Sequence, residues 1–304
     1  MSKDDQFSRR DFLKHASTAF LAGVAATAPG TASGEWQNNS YAGEAKSRVV
    51  LIRDELALDD EGKPNPLILP RMLDEGVVAL TGKANAREAW KSLLKPEDIL
   101  GIKTNVWRFL RTPECLEEQI AFRAGEVGIA KDRIGVGDRR ILGDPIFDSA
   151  TALVNIRPMR THHWAGVGSL IKNYIMFAPA PVIYHPDTCA NLASVWFLPG
   201  VLGKTRLNVL VMLTPLFHGK GPHHYVKKYT WDYRGLLIGT DPVAVDATGV
   251  HLLQAMRTKH FGDAKPFDKP VKHIWVADKK FNLGTSDPAK IDLVKLGWEK
   301  DRLI

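Results

Sequence analysis

Residues 99–136 read ILGIKTNVWRFLRTPECLEEQIAFRAGEVGIAKDRIGV, and the order of elements in this stretch decides the fold. A β-rich run at 99–104 is followed by a helical stretch that starts at Pro113, takes Thr112 as its cap and closes near Gly128. A second β-rich run follows at 133–136. A strand, a helix and a strand at this spacing imply a crossover connection, and crossovers build a largely parallel sheet with helices on its faces.

The same alternation continues in both directions. Residues 48–53 (RVVLIR) read as a strand, and 66–80 carry helical spacing with Asn65 as a cap and Pro66 in the first turn. Asn85 caps a helix over 86–94, with Glu88 placed as in a capping box. Downstream, strands are expected at 152–156, 207–213, 236–239 and 273–277. A helix begins after Asp241-Pro242 and runs to about Met256. The expectation is an α/β fold of three layers, with a largely parallel or mixed sheet and helices on both faces, formed by residues 48–304 as a single domain.

Residues 1–34 read differently. Ser8-Arg9-Arg10-Asp11-Phe12-Leu13-Lys14 precedes an apolar stretch at 16–28 and a small-residue segment at 29–34. A charged region, a short apolar region and small residues form the order of a signal peptide. The paired arginines followed by Phe12, Leu13 and Lys14 resemble a twin-arginine signal. That resemblance implies passage of a folded chain through the twin-arginine translocase to the periplasm or another exported location, membrane-anchored if the signal stays uncleaved.

Composition bounds the remainder. With 304 residues, 44% hydrophobic and 25% charged, the chain has globular composition. Apolar runs of the body such as 207–213 are strand length, well short of the roughly 20 residues that span a bilayer. The formal charge of +7 favours a small anionic ligand. Its lysines and arginines are scattered without a nucleic-acid-binding motif, so no nucleic-acid partner is expected. Cys115 and Cys189 are expected to be unpaired thiols, being too few for a disulfide framework.

The chemistry-bearing residues concentrate in 160–189, RTHHWAGVGSLIKNYIMFAPAPVIYHPDTC. Histidine transfers protons near neutral pH and its neutral ring binds transition metals, which makes His162 and His163 candidate acid/base groups. Adjacent residues of an extended segment face opposite ways, so the two rings are expected to point apart. Gly166 and Gly168 leave room for a ligand to approach the backbone. His185 and Cys189 are four apart, which on a helix begins a metal-ligand pattern. A second histidine-rich loop, 217–224 (FHGKGPHH), supplies His218, Lys220, His223 and His224 at the end of a strand. No dinucleotide fingerprint, Walker loop, zincin motif, nucleophile elbow or iron-sulfur cysteine set is present.

Several pieces together resemble the family catalogued as domain of unknown function 362. They are Val49-Leu51-Arg53-Asp54, Gly101-Ile102-Lys103-Thr104-Asn105, Thr161-His162-His163 with Gly166-Val167-Gly168 and Lys172-Asn173, and Asp241 through Asp246. A more remote similarity is to the lactate racemase family, whose members use a nickel pincer nucleotide tethered to a lysine. There Lys172 takes the tethering position, His162 or His163 that of the catalytic histidine, and His185 that of a metal ligand. The resulting expectation is an exported, metal- or cofactor-dependent enzyme, racemase-like or an oxidoreductase, that moves a proton or hydride on a small anionic substrate. His162, His163 and Lys172 would be catalytic. Lys103, Asn105, Gly166, Gly168 and Lys172 would line the cofactor crevice, and His185 and His218 would bind metal. The alternatives are a periplasmic binding or accessory protein without turnover, and a hydrolase using His218, His223 and Asp241.

Overall fold

The computed structural model describes residues 46–221, 223, 225–262 and 265–304. The twin-arginine motif and His224 lie outside them. In chain order the main elements are β1 (Ser47–Arg53), α1 (Ile68–Thr81), α2 (Ala86–Lys91), β2 (Leu100–Lys103), α3 (Glu114–Val127), β3 (Ile134–Gly137), α4 (Pro145–Ser149) and β4 (Ala152–His162). Then come β5 (Gly166–Gly168), α5 (Leu170–Asn173), β6 (Thr205–Leu216), β7 (Gly235–Gly239), α6 (Pro242–Phe261), α7 (Lys272–Lys279) and β8 (Ile291–Gly297).

The strands form one mixed sheet in the order β3-β2-β4-β6-β7-β1-β8, with short β5 folded back on β4. β3, β2, β4 and β6 are mutually parallel, β1 and β8 are parallel, and β7 runs against both its neighbours. Alternate residues of each strand serve opposite faces. Val50 and Ile52 of β1 pack with Leu69, Trp90, Leu116 and Ile120 under α1, α2 and α3. Val49 and Leu51 pack on the other side with Phe147, Leu170, Val245, Leu252 and Ile274, under α4 to α7. These are the three layers expected of the sequence, with a sheet buried on both faces.

The order of strands places a crevice. From β2 the chain leaves by α3, on the first face, to β3. It returns by α4, on the second face, to β4 on the other side of β2. Adjacent parallel strands whose continuations diverge in this way leave a gap at their carboxyl ends, where α/β proteins bind ligands. Lys103 ends β2 and Arg160 to His162 end β4 at this edge.

Several elements depart from the sequence reading. Residues 272–279 are helix, because buried His273, Ile274 and Ala277 recur with helical spacing despite the β-branched composition. β8 was not expected, being a half-exposed edge strand with little apolar contrast. β4 is twice as long as expected and continues through Arg157 and Pro158. The proline, which lacks an N–H, sits at a register shift against β6 between Pro158 and Arg160. Thr112 does not cap α3. Its hydroxyl bonds the backbone of Asn105 and closes the 105–112 loop. Asn85 does cap α2, accepting from the Glu88 N–H at 3.0 Å.

Asp241 caps α6 as expected and does more. One oxygen accepts from the N–H groups of Val243 and Ala244, the other from the Ser47 hydroxyl at 2.7 Å and the Thr285 N–H at 2.9 Å. One buried carboxylate therefore ties α6 to the start of β1 and to the approach to β8. Asp241→Ala, which strands these donors, is expected to lower unfolding free energy by about 2–4 kcal/mol in urea titration. Asp292→Ala, which removes the exposed partner of Arg48, is expected to cost less than about 1 kcal/mol.

Candidate functional site

The site is assembled around a second buried carboxylate. Asp246, one turn into α6 and fully buried, accepts from the Ser169 hydroxyl at 2.6 Å and from the N–H groups of Leu170 and Ile171, both at 2.9 Å. These are the unpaired donors at the start of α5, so Asp246 supplies a cap from another helix. Burial pushes Asp246 up to about 6, opposed by these hydrogen bonds and by Arg157. The clamp presents Lys172 and Asn173, one turn on, to the strand ends.

Asn173 joins the pieces at the sheet. Its amide nitrogen donates to the Lys103 carbonyl at 3.1 Å and to Asn155 Oδ1 at 2.9 Å. Asn155 in turn donates to the Leu170 carbonyl and to Asn208. Lys103 is entirely buried and pairs with Asp138 at 2.7 Å. Burial lowers its ammonium to about 8 against the pull of Asp138. Asp138 would be raised by burial, yet Lys103 holds it below the usual carboxylate range. Lys103 is thus part of the frame, with its charge already answered.

The glycines are occupied by the chain itself. At Gly168 a Cβ would stand 2.9 Å from Arg157 Nη2, and at Gly166, where φ is +74°, 2.5 Å from the Lys269 carbonyl oxygen. Their missing side chains admit a guanidinium and a backbone rather than open space.

His162 and His163 do not point apart. β4 ends at His162 and turns, and the two rings stack with centroids 4.7 Å apart. His163 lies edge-on to His223 at 4.2 Å, and Trp164 lies 4.4 Å from His163 and 4.1 Å from His185. Trp164 is 47% exposed and stands where this cluster meets solvent. Burial, reinforced by Lys172 and the neighbouring arginines, holds His162 neutral far below the usual imidazole range. Burial, His223 and Lys172 bring His163 to about 4, and burial and Lys172 lower His185. The His162 Nδ1 accepts from the Trp164 N–H at 3.2 Å. Both ring nitrogens of His163 and Nδ1 of His185 are buried without a partner.

Sequence reasoning missed the arginines. Arg157 and Arg160, buried in β4, carry Nη2 of the first and Nε and Nη1 of the second with no hydrogen-bond partner. Arg160 lies over the Trp107 ring at 4.4 Å. Burial lowers Arg157 to about 10 and, with Arg157 beside it, takes Arg160 well down. Two arginines inside a strand that starts as an apolar run were the available signal, since buried cations need a reason. Asn105 is nearby in sequence to the frame, and its buried Oδ1 is also unpartnered.

The remaining expected residues are separated. His218 packs with Tyr229 and Phe261 and contacts Arg257 at 3.2 Å, sharing none of these neighbours with His185. Asp241 is occupied as a cap, apart from His218. His185 and Cys189 do not share a helix face: Asp187, Thr188 and Cys189 all have left-handed φ, between 49° and 64°. That turn brings Cys189 Sγ to 3.9 Å from Lys172 Nζ. Cys115 and Cys189 are both free thiols. Among the described residues no three His, Cys, Asp or Glu side chains come together at metal-ligand spacing. The residues present therefore do not fit a metal held by His185 and His218. A separate concavity of about 220 Å³, lined by Arg108, Phe109, Arg111, Pro158, Val211 and Leu213 among others, shares no lining residue with the histidine cluster.

No helix among the described residues is long and apolar enough to cross a membrane. No curated protein and no solved structure matches the chain. A family model described as Domain of unknown function (DUF362) matches residues 138–251. That span holds Asp138, both β4 arginines, the clustered histidines His162, His163, His185 and His223, Lys172 and Asp246, whereas Lys103 precedes it. Most of the segment that builds the site is therefore similar to the family described as Domain of unknown function (DUF362).

Proposed function

We propose that the protein is an exported enzyme that binds a small anionic substrate at the carboxyl edge of β4 and moves a proton on it through His162 or His163. The observation that carries this reading is the surplus of buried, unanswered cations. Arg157 and Arg160 have orphaned N–H groups, and the nearby carboxylates are engaged, Asp138 by Lys103 and Asp246 by the Ser169 turn. A desolvated cation costs several kcal/mol unless paired, so an anion that accepts from both guanidiniums recovers that cost. Arginine forks suit a carboxylate or phosphate.

Neutral imidazoles beside this position are able to accept a proton, and a bound anion offsets the cations that depress them. The same depression favours a second reading, a binding protein without turnover, because a base near 4 is weak at neutral pH. The N-terminal signal supports delivery by the twin-arginine translocase.

Four outcomes test these readings. In calorimetry against a panel of small hydroxy and oxo acids, Arg160→Gln is expected to weaken binding by about tenfold or more, with thermal unfolding of the free protein reported alongside. Unchanged affinity removes the anion site. Wild-type affinity should fall as pH rises through about 8, because deprotonation of Lys172 removes a positive charge. For the catalytic reading, wild-type protein should exchange carbon-bound hydrogen of a bound acid for solvent deuterium, followed by NMR. His163→Gln should slow that exchange by roughly 10²-fold or more while retaining affinity, and binding without exchange establishes the non-catalytic reading. Replacing Arg9 and Arg10 together by lysine is expected to leave the precursor in the cytoplasm on fractionation.

A further inference from the structure

The two buried lysines of the site are treated differently by their surroundings. Lys103 has a carboxylate at 2.7 Å and the Thr104 carbonyl at the same distance. Lys172 has neither. Its contact is the Cys189 sulfur at 3.9 Å, a weak acceptor, and burial keeps Cys189 a thiol by raising it above its ordinary value. The remaining charged and titratable groups bearing on Lys172 are Arg157, Arg160, His162, His163, His185 and His273. All are cationic or neutral bases, and none is a counterion.

A buried lysine with no counterion is the arrangement that makes an amine nucleophilic. Lys172 is only 6% exposed, and burial brings its ammonium down to about 8. An appreciable share of the side chain is therefore uncharged amine near neutral pH. The turn through Asp187, Thr188 and Cys189, three successive non-glycine residues in left-handed conformation, is what sets a thiol rather than a carboxylate against it. The Asp246 clamp on α5 fixes the backbone that carries it.

We infer that Lys172 forms an imine with a carbonyl-bearing carboxylate, an oxo acid whose carboxylate is held by Arg157 and Arg160. This rests on the anion-site reading above and names its substrate class. The Lys172 Nζ lone pair attacks the carbonyl carbon while the carbonyl π pair moves to oxygen, which takes up a proton. The nitrogen gives up one proton to a neighbouring imidazole or water, and the hydroxyl takes up a further proton from the same groups and leaves as water, so that the C=N nitrogen keeps its other proton and its positive charge. Amine, carbonyl and one proton become protonated imine and water, with no change of oxidation state. The cationic imine then draws electrons from the adjacent carbon, so that His162 or His163 removes a proton there.

Full-length protein is incubated with pyruvate or 2-oxoglutarate and sodium borohydride, then analysed by intact mass and peptide mapping. Hydride reduces the C=N bond to a secondary amine. The expected product is a single adduct on Lys172, heavier by the mass of the oxo acid less one oxygen atom. At subsaturating acid, Arg160→Gln is expected to lower its yield about tenfold, and Lys172→Met to abolish it. Adducts spread over surface lysines, or an adduct that persists in Lys172→Met, overturn the inference. Mapping on the wild type decides the site even if a variant fails to fold. Calorimetry with lactate and 2-hydroxyglutarate separates the two levels. Binding of these acids, with no trapping of the oxo acids, overturns the imine and leaves the anion site standing. Absence of both binding and trapping overturns both.

Discussion

The contact on which the site depends is the carboxylate of Asp246 against the start of α5. Three donors converge on it from Ser169, Leu170 and Ile171, at a position with no exposure to solvent. A four-residue helix has no stability of its own, and here its amide donors are satisfied by another helix. Lys172 and Asn173 take their positions from that arrangement. Asn173 then reaches Lys103 and Asn155, so one carboxylate on α6 sets the distance between α5 and two strands.

Around this frame the protein separates charges that are answered from charges that are not. Lys103 and Asp138 form a closed pair, and Asp241 is saturated by four donors. Arg157 donates only to the Pro158 and Ser169 carbonyls, with Asp138 and Asp246 acting on it from beyond hydrogen-bond contact. Arg160 and Lys172 have no carboxylate partner, and the imidazoles beside them are held neutral by burial, reinforced by these cations. A cation-rich interior of this kind is costly to an empty protein and stabilising once an anion enters. An anion bound there would therefore link binding to folding through the same few residues.

Much of the architecture was legible because it rests on local rules. Gly128 and the Asn85 and Asp241 caps marked helix boundaries, and the strand–helix–strand order specified crossovers. The failures share a cause, which is tertiary context acting where local composition is ambiguous. Residues 273–277 are β-branched and aromatic yet helical, because α7 needs one buried stripe. His162 and His163 stack because the strand ends between them, whereas a continued strand would have parted them. Of the site, the histidines, Lys172 and the Asp241–Asp246 motif stood out as residue types. The arginines of β4 did not, since their meaning lies in the absence of partners, which no sequence displays. Cys189 was noticed for its spacing from His185 and matters instead for its nearness to Lys172.

The position of β1 has a further consequence, for the order in which the molecule can be completed. The first strand of the sheet lies between β7 and β8, both supplied by the last quarter of the chain. During synthesis β1 waits with both edges open until those strands emerge, and such long-range pairing is slow and exposes surface prone to association. The sheet is closed from its end, so the first strand is among the last to be secured. Any machinery that engages the emerging chain before the final strand is in place meets an unfinished protein.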